Sequence, residues 1–166
     1  MCSKCNGILQ ENITILVPVT ASNLELTQVI LSKLKKSGVK TTKLYLDDFP
    51  NAAMHTHKAL KLVYDPYDLF LVIGSDPLLL MATTVAKYYG VEIAHVYAGE
   101  PDFDELKDQI RMAITILSDI QFCKDKLGEK FVERRLFGVK KPNVHPVEEI
   151  ESIIMNEWDK DYMKGV

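Results

Sequence analysis

The chain has three cysteines and one tryptophan in 166 residues, no long apolar run and no surplus of basic residues. Each shortage excludes something. Three cysteines cannot build a disulfide framework. A zinc site needs four ligands, so Cys2 and Cys5 form half of one unless a second chain completes it, and they read as a reduced terminus with no metal. Cys123 reads as a small buried hydrophobe. No apolar stretch approaches the roughly 18 to 20 residues that span a bilayer, so no membrane association is expected. The opening residues, MCSKCNGILQEN, hold no apolar core of a signal peptide. Twenty Lys and Arg against 23 Asp and Glu leave a net charge of −3, which gives no footprint for nucleic acid. The expectation is a cytoplasmic, reduced protein. Glycine is missing where dinucleotide folds need it: the loop after the first strand reads VTASN. Without glycines the backbone cannot approach a pyrophosphate closely, and there is no phosphate-loop lysine motif, so no cofactor is expected.

What the chain does have is a complete strand–helix–strand unit from Asp68 to Gly99. Leu69 to Ile73 is a continuous apolar run, as in a strand buried on both faces of a parallel sheet. Gly74 allows a tight turn, Ser75 or Asp76 can accept from the first free amides of a helix, and Pro77 suits its first position. Leu78, Leu79, Met81, Ala82, Val85 and Ala86 line that helix, Gly90 stops it, and Val91 to Val96 is the next strand.

The same alternation runs through the rest of the chain. Ile13 to Val19 reads as the first strand. Ser22 and Glu25 form a capping-box signature for a helix lined by Leu26, Val29, Ile30 and Leu34 and ended by Gly38. Val39 to Leu46 is a partly polar strand, expected near an edge. Asp47 to Ala53 reads as loop, His55 to Tyr64 as a short helix, and Asp65-Pro66 as its end. Asp102 and Glu105 are placed to cap a helix over Phe103 to Leu117, with a stripe of Leu106, Ile110, Ala113, Ile114 and Leu117. Ile120 to Cys123 is a short strand. Leu127, Phe131, Val132 and Leu136 face the core from the next helix, which Gly138 ends. Asn143 to His145 forms a last strand, and Pro146 opens a final helix with Ile150, Ile153, Ile154 and Trp158 inward. The fold class is therefore α/β: a doubly wound, mainly parallel, Rossmann-like sheet with right-handed crossovers and a switch point beside the first strand. The expected layout is a flexible segment over residues 1–12, one domain over 13–158 and a polar tail over 159–166.

Open α/β sheets bind ligands at the carboxyl ends of their strands. That rule selects Thr20, Ser22, Asn23, Gly74, Ser75, Asp76, Gly99 and Glu100 as ligand-binding candidates. The helix starts at Ser22 and at Ser75-Asp76 could hold an anion by dipole and free amides, although Asp76 would repel one. His55 and His57, two residues apart on a helix, point to different faces and read as a solvated pair. His95 is a core histidine or a site residue. Lys107, Asp108 and Arg111 share a helical face, as an ion-pair set or as a charged wall of the site.

The run from Asp68 through Phe122 resembles the first half of the non-hydrolysing UDP-N-acetylglucosamine 2-epimerases. That half reads as a strand, Gly-Asp-Thr, a helix, then Ile-Pro-Val-x-His-Val-Glu-Ala-Gly, a helix with Pro-Glu-Glu-x-Asn-Arg, and a Ser-Asp-x-x-Phe strand. This chain offers Gly74-Ser75-Asp76, Val91-Glu92-Ile93-Ala94-His95-Val96-Tyr97-Ala98-Gly99, Arg111 and Ser118-Asp119-Ile120-Gln121-Phe122. The resemblance implies one half of a two-domain, GT-B-type epimerase, with the site in a cleft between halves. Ser75 stands at the family's Asp, Tyr97 at the Glu before Ala-Gly, and Lys107 and Asp108 at the paired Glu positions. The family's basic first loop is here Val19-Thr20-Ala21-Ser22-Asn23.

The implied function is a stand-alone epimerase-like domain without epimerase activity by itself. It would bind a small ligand, a UDP-sugar among the candidates, or a protein partner. One alternative is a subunit of a split UDP-sugar epimerase or glycosyltransferase-like enzyme. The other is a small enzyme with altered chemistry, using Asp76, His95, Tyr97 and Arg111 as catalytic candidates. A homodimer or docking to a second chain is expected, because the surface facing the second domain in the two-domain relatives would be uncovered, with Phe49 and Phe103 near it.

Overall fold

The structure, a computed structural model, describes residues 13–61 and 67–156. The readings at Cys2 and Cys5, at Asp65-Pro66, at Trp158 and over the two terminal segments lie outside the described residues. Six strands form one parallel sheet in the order β2-β1-β3-β4-β5-β6. They are β1 (Thr14–Val19), β2 (Lys40–Tyr45), β3 (Leu69–Ile73), β4 (Glu92–Val96), β5 (Ile120–Cys123) and β6 (Val144–Pro146). The helices between them are α1 (Leu24–Lys35), α2 (Phe49–Lys61), α3 (Pro77–Tyr88), α4 (Glu105–Leu117) and α5 (Lys126–Leu136). A 3-10 turn, Val147–Glu149, leads into helical residues 150–156. The chain turns outward in both directions from β1 and β3, which places the switch point between them. Polar β2 lies at the edge, as its composition requires.

Strand alternation divides the core into two layers. Ile15, Val17, Leu69, Leu71, Ile73, Val96 and Phe122 pack with Ile30 and Leu34 of α1 and with Ile150 and Ile154. Leu16, Phe70, Val72 and Ile93 face the other way, against Ala52 of α2, Leu79, Ala82 and Ala86 of α3, and Ile110 and Ile114 of α4. Helix α1 and the helical residues 150–156 thus share one face, and α2, α3 and α4 share the other, as right-handed crossovers require of a chain that first steps from β1 to β2 and then from β3 outward the other way.

Several local expectations need correction. The capping box at Ser22 does not form: Asn23 is the N-cap of α1 and makes no capping bond with its side chain. Ser22 instead turns its hydroxyl to the Asp76 carboxylate and donates to it, a charge-assisted bond to a different element that draws the side chain off the end of α1. Helix α4 is capped by Asp104, not by Asp102 or Glu105: Asp104 has the extended backbone of a cap and accepts from the Lys107 amide at 3.2 Å. Helix α2 starts at Phe49 within the expected loop, because Asp48 accepts from the Asn51 amide at 2.9 Å and Pro50 is tolerated in a first turn. Pro146 ends β6, and the turn after it is 3-10.

Four expected core positions face outward. On α1 the buried stripe is Thr27, Ile30, Leu31 and Leu34, while Leu26 and Val29 are exposed. Leu106 and Leu127 are exposed too. In each case two stripes at helical spacing were available, and the sheet selected the one it could reach.

The keystone is Asn23, buried at the fork between β1 and β3. Pairing of these strands covers only Ile15↔Leu69 and Leu16↔Phe70. Beyond it comes Pro18, which has no N–H to donate. The Asn23 amide fills the gap: Nδ2 donates to the Pro18 carbonyl at 3.2 Å and to the Ile73 carbonyl at 2.9 Å. Its Oδ1 accepts from the Thr20 amide at 2.8 Å. Asn23→Asp keeps the size but replaces both donors by a charge facing two carbonyls, and should cost about 3 kcal/mol or more. Asn23→Ala should cost about 2 kcal/mol. Urea denaturation of both variants tests this ranking; equal stability with wild type would remove Asn23 from its structural role.

Candidate functional site

The loops after β1, β3 and β4 lie side by side at the carboxyl edge, because those strands are neighbours. Gly74 leaves β3 with φ of 86°, a left-handed conformation that suits glycine, and its N–H donates to the Val96 carbonyl at 3.1 Å. That turn delivers Asp76 to the start of α3. Asp76, rather than Ser75, caps the helix: its Oδ1 accepts from the Leu79 amide at 3.0 Å. Its Oδ2 accepts from the Thr20 hydroxyl at 2.7 Å and from the Ser22 hydroxyl. Thr20 and Ser22 also share a contact of 2.9 Å. A β1 loop and a β3 loop are thus joined through one carboxylate, which takes the seat an external anion would occupy on α3.

His95 sits beneath this turn, fully buried within β4. Its Nε2 lies 2.8 Å from the Gly74 carbonyl, which can only accept, so Nε2 carries the proton. Its Nδ1 lies 3.0 Å from the Thr115 hydroxyl. Thr115 Oγ1 is also 2.8 Å from the Arg111 carbonyl. Its single proton serves the imidazole nitrogen, which has no other donor, while the Arg111 carbonyl keeps its helical N–H. Burial chiefly, opposed by the Gly74 bond and assisted by the Arg111 charge, lowers the imidazole pKa from 6.5 to about 4. His95 is therefore a neutral strut between β4, α4 and the β3–α3 turn.

Tyr97 follows β4 with φ of 65°, the only non-glycine with positive φ among the described residues. A bulky residue in this region is strained by about 1 to 3 kcal/mol and needs surroundings that hold it. The Tyr97 and Ala98 amides both donate to the Phe122 carbonyl, at 2.8 and 3.2 Å, and the side chain packs on the core layer of α1. Burial, then Glu100 and Glu148, raise its phenol pKa, so it stays a donor at neutral pH. Gly99 has a different reason to be glycine: a Cβ there would lie 2.4 Å from the Gly128 carbonyl oxygen at the start of α5.

Arg111 reaches from α4 to the same loop. One terminal nitrogen donates to the Glu100 carbonyl, and the other lies 3.6 Å from Asp102 Oδ2. Asp108 turns to Arg135 instead, at 3.8 Å, so the Lys107, Asp108 and Arg111 face is not a self-contained ion-pair set. Glu100 lies 3.7 Å from Lys124. Ser75 and Gly74 are partly exposed beside Asp76, Thr20 and Asn23 are buried beneath it, and Ser22 is open to solvent. Away from the edge, exposed His57 contacts the Tyr89 hydroxyl through Nδ1. Cys123 is buried, with its thiol pushed up to about 12 chiefly by burial. No group of three or more metal-ligating side chains occurs among the described residues. No helix among them is long and apolar enough to cross a membrane. Sequence reading missed Thr115 and gave Asp102 a capping role in place of its contact with Arg111; both follow from contacts between elements that carry no motif.

A doubly wound α/β fold with polar groups gathered at its switch point is what these observations define. Its likeness to solved structures is specific. The chain superposes on UDP-GlcNAc 2-epimerase of Methanocaldococcus jannaschii, determined in complex with UDP-GlcNAc and UDP, with a TM-score of 0.68 and 14% identity over 80% of this chain and 46% of that one. The S. aureus MnaA–UDP structure gives 0.66 and 16%, over 80% and 43%. The UDP-N-acetylglucosamine 2-epimerase of Rickettsia bellii gives 0.64 and 14%, over 87% and 47%. The chain spans less than half the length of each of these proteins, and shares the fold of that portion. No protein-family model and no curated protein matches it.

The histidine strut makes stability depend on pH. The unfolded imidazole titrates near 6.5 and the folded one near 4, so between these values the unfolded chain binds more protons. This contribution is present above pH 6.5 and is lost as pH falls toward 4, amounting to about 3 kcal/mol in full. Urea midpoints measured from pH 7 to pH 5 should fall in wild type. His95→Gln should flatten that slope, and an unchanged slope would remove His95 as its source.

Proposed function

We propose that this chain is a ligand-binding domain whose carboxyl edge takes a sugar nucleotide, and that it does not epimerise that ligand on its own. The observation that carries the reading is the cluster of Thr20, Ser22 and Asp76, contributed by the loops on both sides of the switch point. Its solvent-facing members, the exposed Ser22 hydroxyl and the partly exposed Asp76 carboxylate, match the alcohols of a sugar. Ligands named for the structural neighbours, UDP-GlcNAc and UDP, agree with this choice.

Inactivity is inferred from the same bonds. Epimerisation at carbon needs a base within reach of a carbon-bound proton. Both Asp76 oxygens already accept from protein donors, His95 is enclosed with both nitrogens engaged, and the Tyr97 phenol is held protonated. Incubation with UDP-GlcNAc in deuterium oxide should leave the sugar C2 proton in place, while titration calorimetry detects binding. Deuterium at C2 would overturn the inactive reading, and absence of binding would overturn the site.

A second reading has its own observation. Phe103 and Leu106 at the start of α4, and Phe49 at the start of α2, are solvent-exposed near this edge. Large exposed apolar surface marks an interaction face. Sedimentation at micromolar concentration should show a dimer, or a pull-down a partner chain, burying on the order of 1,000 Å². A strict monomer without a partner would count against association.

A further inference from the structure

The two outer strands of the sheet are finished differently. At one end β6 is three residues long and closes on Pro146, which has no N–H to offer a neighbour. At the other end β2 runs for six residues without proline or bulge, in full register with β1. The Lys40 amide donates to the Ile13 carbonyl at 2.9 Å and the Leu46 amide to the Val19 carbonyl at 2.8 Å. Parallel neighbours bond through alternate residues, so Thr42 and Leu44 also face β1. The backbone groups of Thr41, Lys43 and Tyr45 face the other way, and no strand among the described residues pairs with them. Register sets the side chains as well. Thr41, Lys43 and Tyr45 lie beside Ile15, Val17 and Val19 on the α1 face, and Lys43 and Tyr45 are exposed. Leu44 ends the opposite apolar layer and is only half-buried.

We propose that β2 is a dimer contact: it pairs antiparallel with β2 of a second copy of this chain about a two-fold axis through Leu44, making one sheet of twelve strands, six from each copy. Lysines on an edge strand ordinarily keep it single. The register decides whether they do so here. Thr41, Lys43 and Tyr45 must face their counterparts for the outward backbone groups to bond. An axis through Lys43 sets that lysine against its own copy, which is repulsive. An axis through Thr42 sets Leu44 against Lys40 of the second copy and wastes its apolar surface. The axis through Leu44 sets Lys43 opposite Tyr45 and Thr41 opposite exposed Asp47, with Lys43 diagonal to Asp47. Lys40 then lies across from Asp48. Leu44 meets its own copy and continues the apolar layer of Leu16 and Leu46 into the second sheet. The basic start of each strand thus runs along the acidic end of the other, which is the charge complementarity that a second copy supplies.

This contact is separate from the ligand-binding edge and from exposed Phe103 and Leu106, which follow β4. Lys43→Pro isolates it, because the Lys43 N–H points away from β1: proline removes one donor from each copy and no bond within the chain. It should raise the dimer dissociation constant about tenfold or more. Phe103→Ser should leave that constant unchanged. Leu44→Cys, made in a Cys2→Ser, Cys5→Ser background, places a thiol on the axis. Antiparallel partners of the non-hydrogen-bonded kind have Cα atoms about 4.5 Å apart, within disulfide range, so this variant should cross-link on mild oxidation. Lys43→Cys in the same background should not, since its own copy lies diagonally about 7 to 8 Å away.

Sedimentation of the full chain across the micromolar range reads the dimer, thermal melts confirm that each variant folds, and non-reducing electrophoresis reads the cross-links. The expected result is a dimer that Lys43→Pro dissociates and Phe103→Ser does not, with cross-linking at Leu44→Cys and none at Lys43→Cys. Cross-linking at Lys43→Cys and none at Leu44→Cys would overturn the register through Leu44. A dimer that survives Lys43→Pro and is broken by Phe103→Ser would overturn the β2 contact and move association to the carboxyl edge. Should Lys43→Pro fail to fold, the absence of a Leu44→Cys cross-link overturns the proposal by itself. A protein that is monomeric throughout and still binds UDP-GlcNAc would overturn the dimer and leave the ligand-binding reading intact.

Discussion

One buried amide holds the switch point in its working shape. The chain turns to opposite sides after β1 and β3, and beyond their short pairing the Pro18 and Ile73 carbonyls are bridged by a side chain and not by the neighbouring strand. Unpaired buried carbonyls are costly, and a proline in β1 cannot answer them. Asn23 can, because a carboxamide carries two donors on one nitrogen and an acceptor beside it. No other side chain of that size supplies all three bonds. The geometry of the neighbouring β1 loop follows from it: the Asn23 acceptor holds the Thr20 amide, and Thr20 and Ser22 then face the β3 loop.

From this constraint the polar layer builds outward. Asp76 receives two hydroxyls from the β1 loop and an amide from α3, so three donors from two elements converge on one carboxylate. Below it, His95 braces the turn from inside the core, and its neutrality lets a titratable ring serve as a buried strut. Beside it, Tyr97 accepts a strained backbone that its amide bond and core packing hold in place. Strain and buried polar networks concentrated at the carboxyl ends of central strands are the physical mark of a site in this architecture. Proton transfer asks for a base with a free lone pair in reach of the ligand, and this network leaves Asp76 and His95 with few to offer.

Much of this was legible beforehand where a property is local. The apolar run of β3, the polar β2 edge, Asp76 with Pro77 and the glycines that end α1, α3 and α5 could be read from neighbours in sequence. Legibility failed where two local choices were equally good. Ser22 had a capping glutamate at the right spacing, yet its hydroxyl went to a carboxylate 54 residues away. Leu26 and Val29 were as apolar as Leu31, yet only one face of α1 could meet the sheet. Asp102 and Glu105 were read as the caps of α4, yet the extended backbone falls at Asp104, and the cap with it.

The sequence by itself determined the alternation of strands and helices, the parallel sheet and the edge at which polar residues would gather. Those properties depend on side-chain period and on turn residues, which act over a few positions. Tertiary structure alone decided that Asn23 spans two strands, that His95 is fully buried and that Arg111 keeps a donor without a partner among the described residues. These are facts of long-range contact. A hydrogen bond between residues 50 apart depends on the three-dimensional register of β1 against β3, which no local pattern encodes. Burial strips the competing water from such bonds, and only then does their count become a property of the molecule.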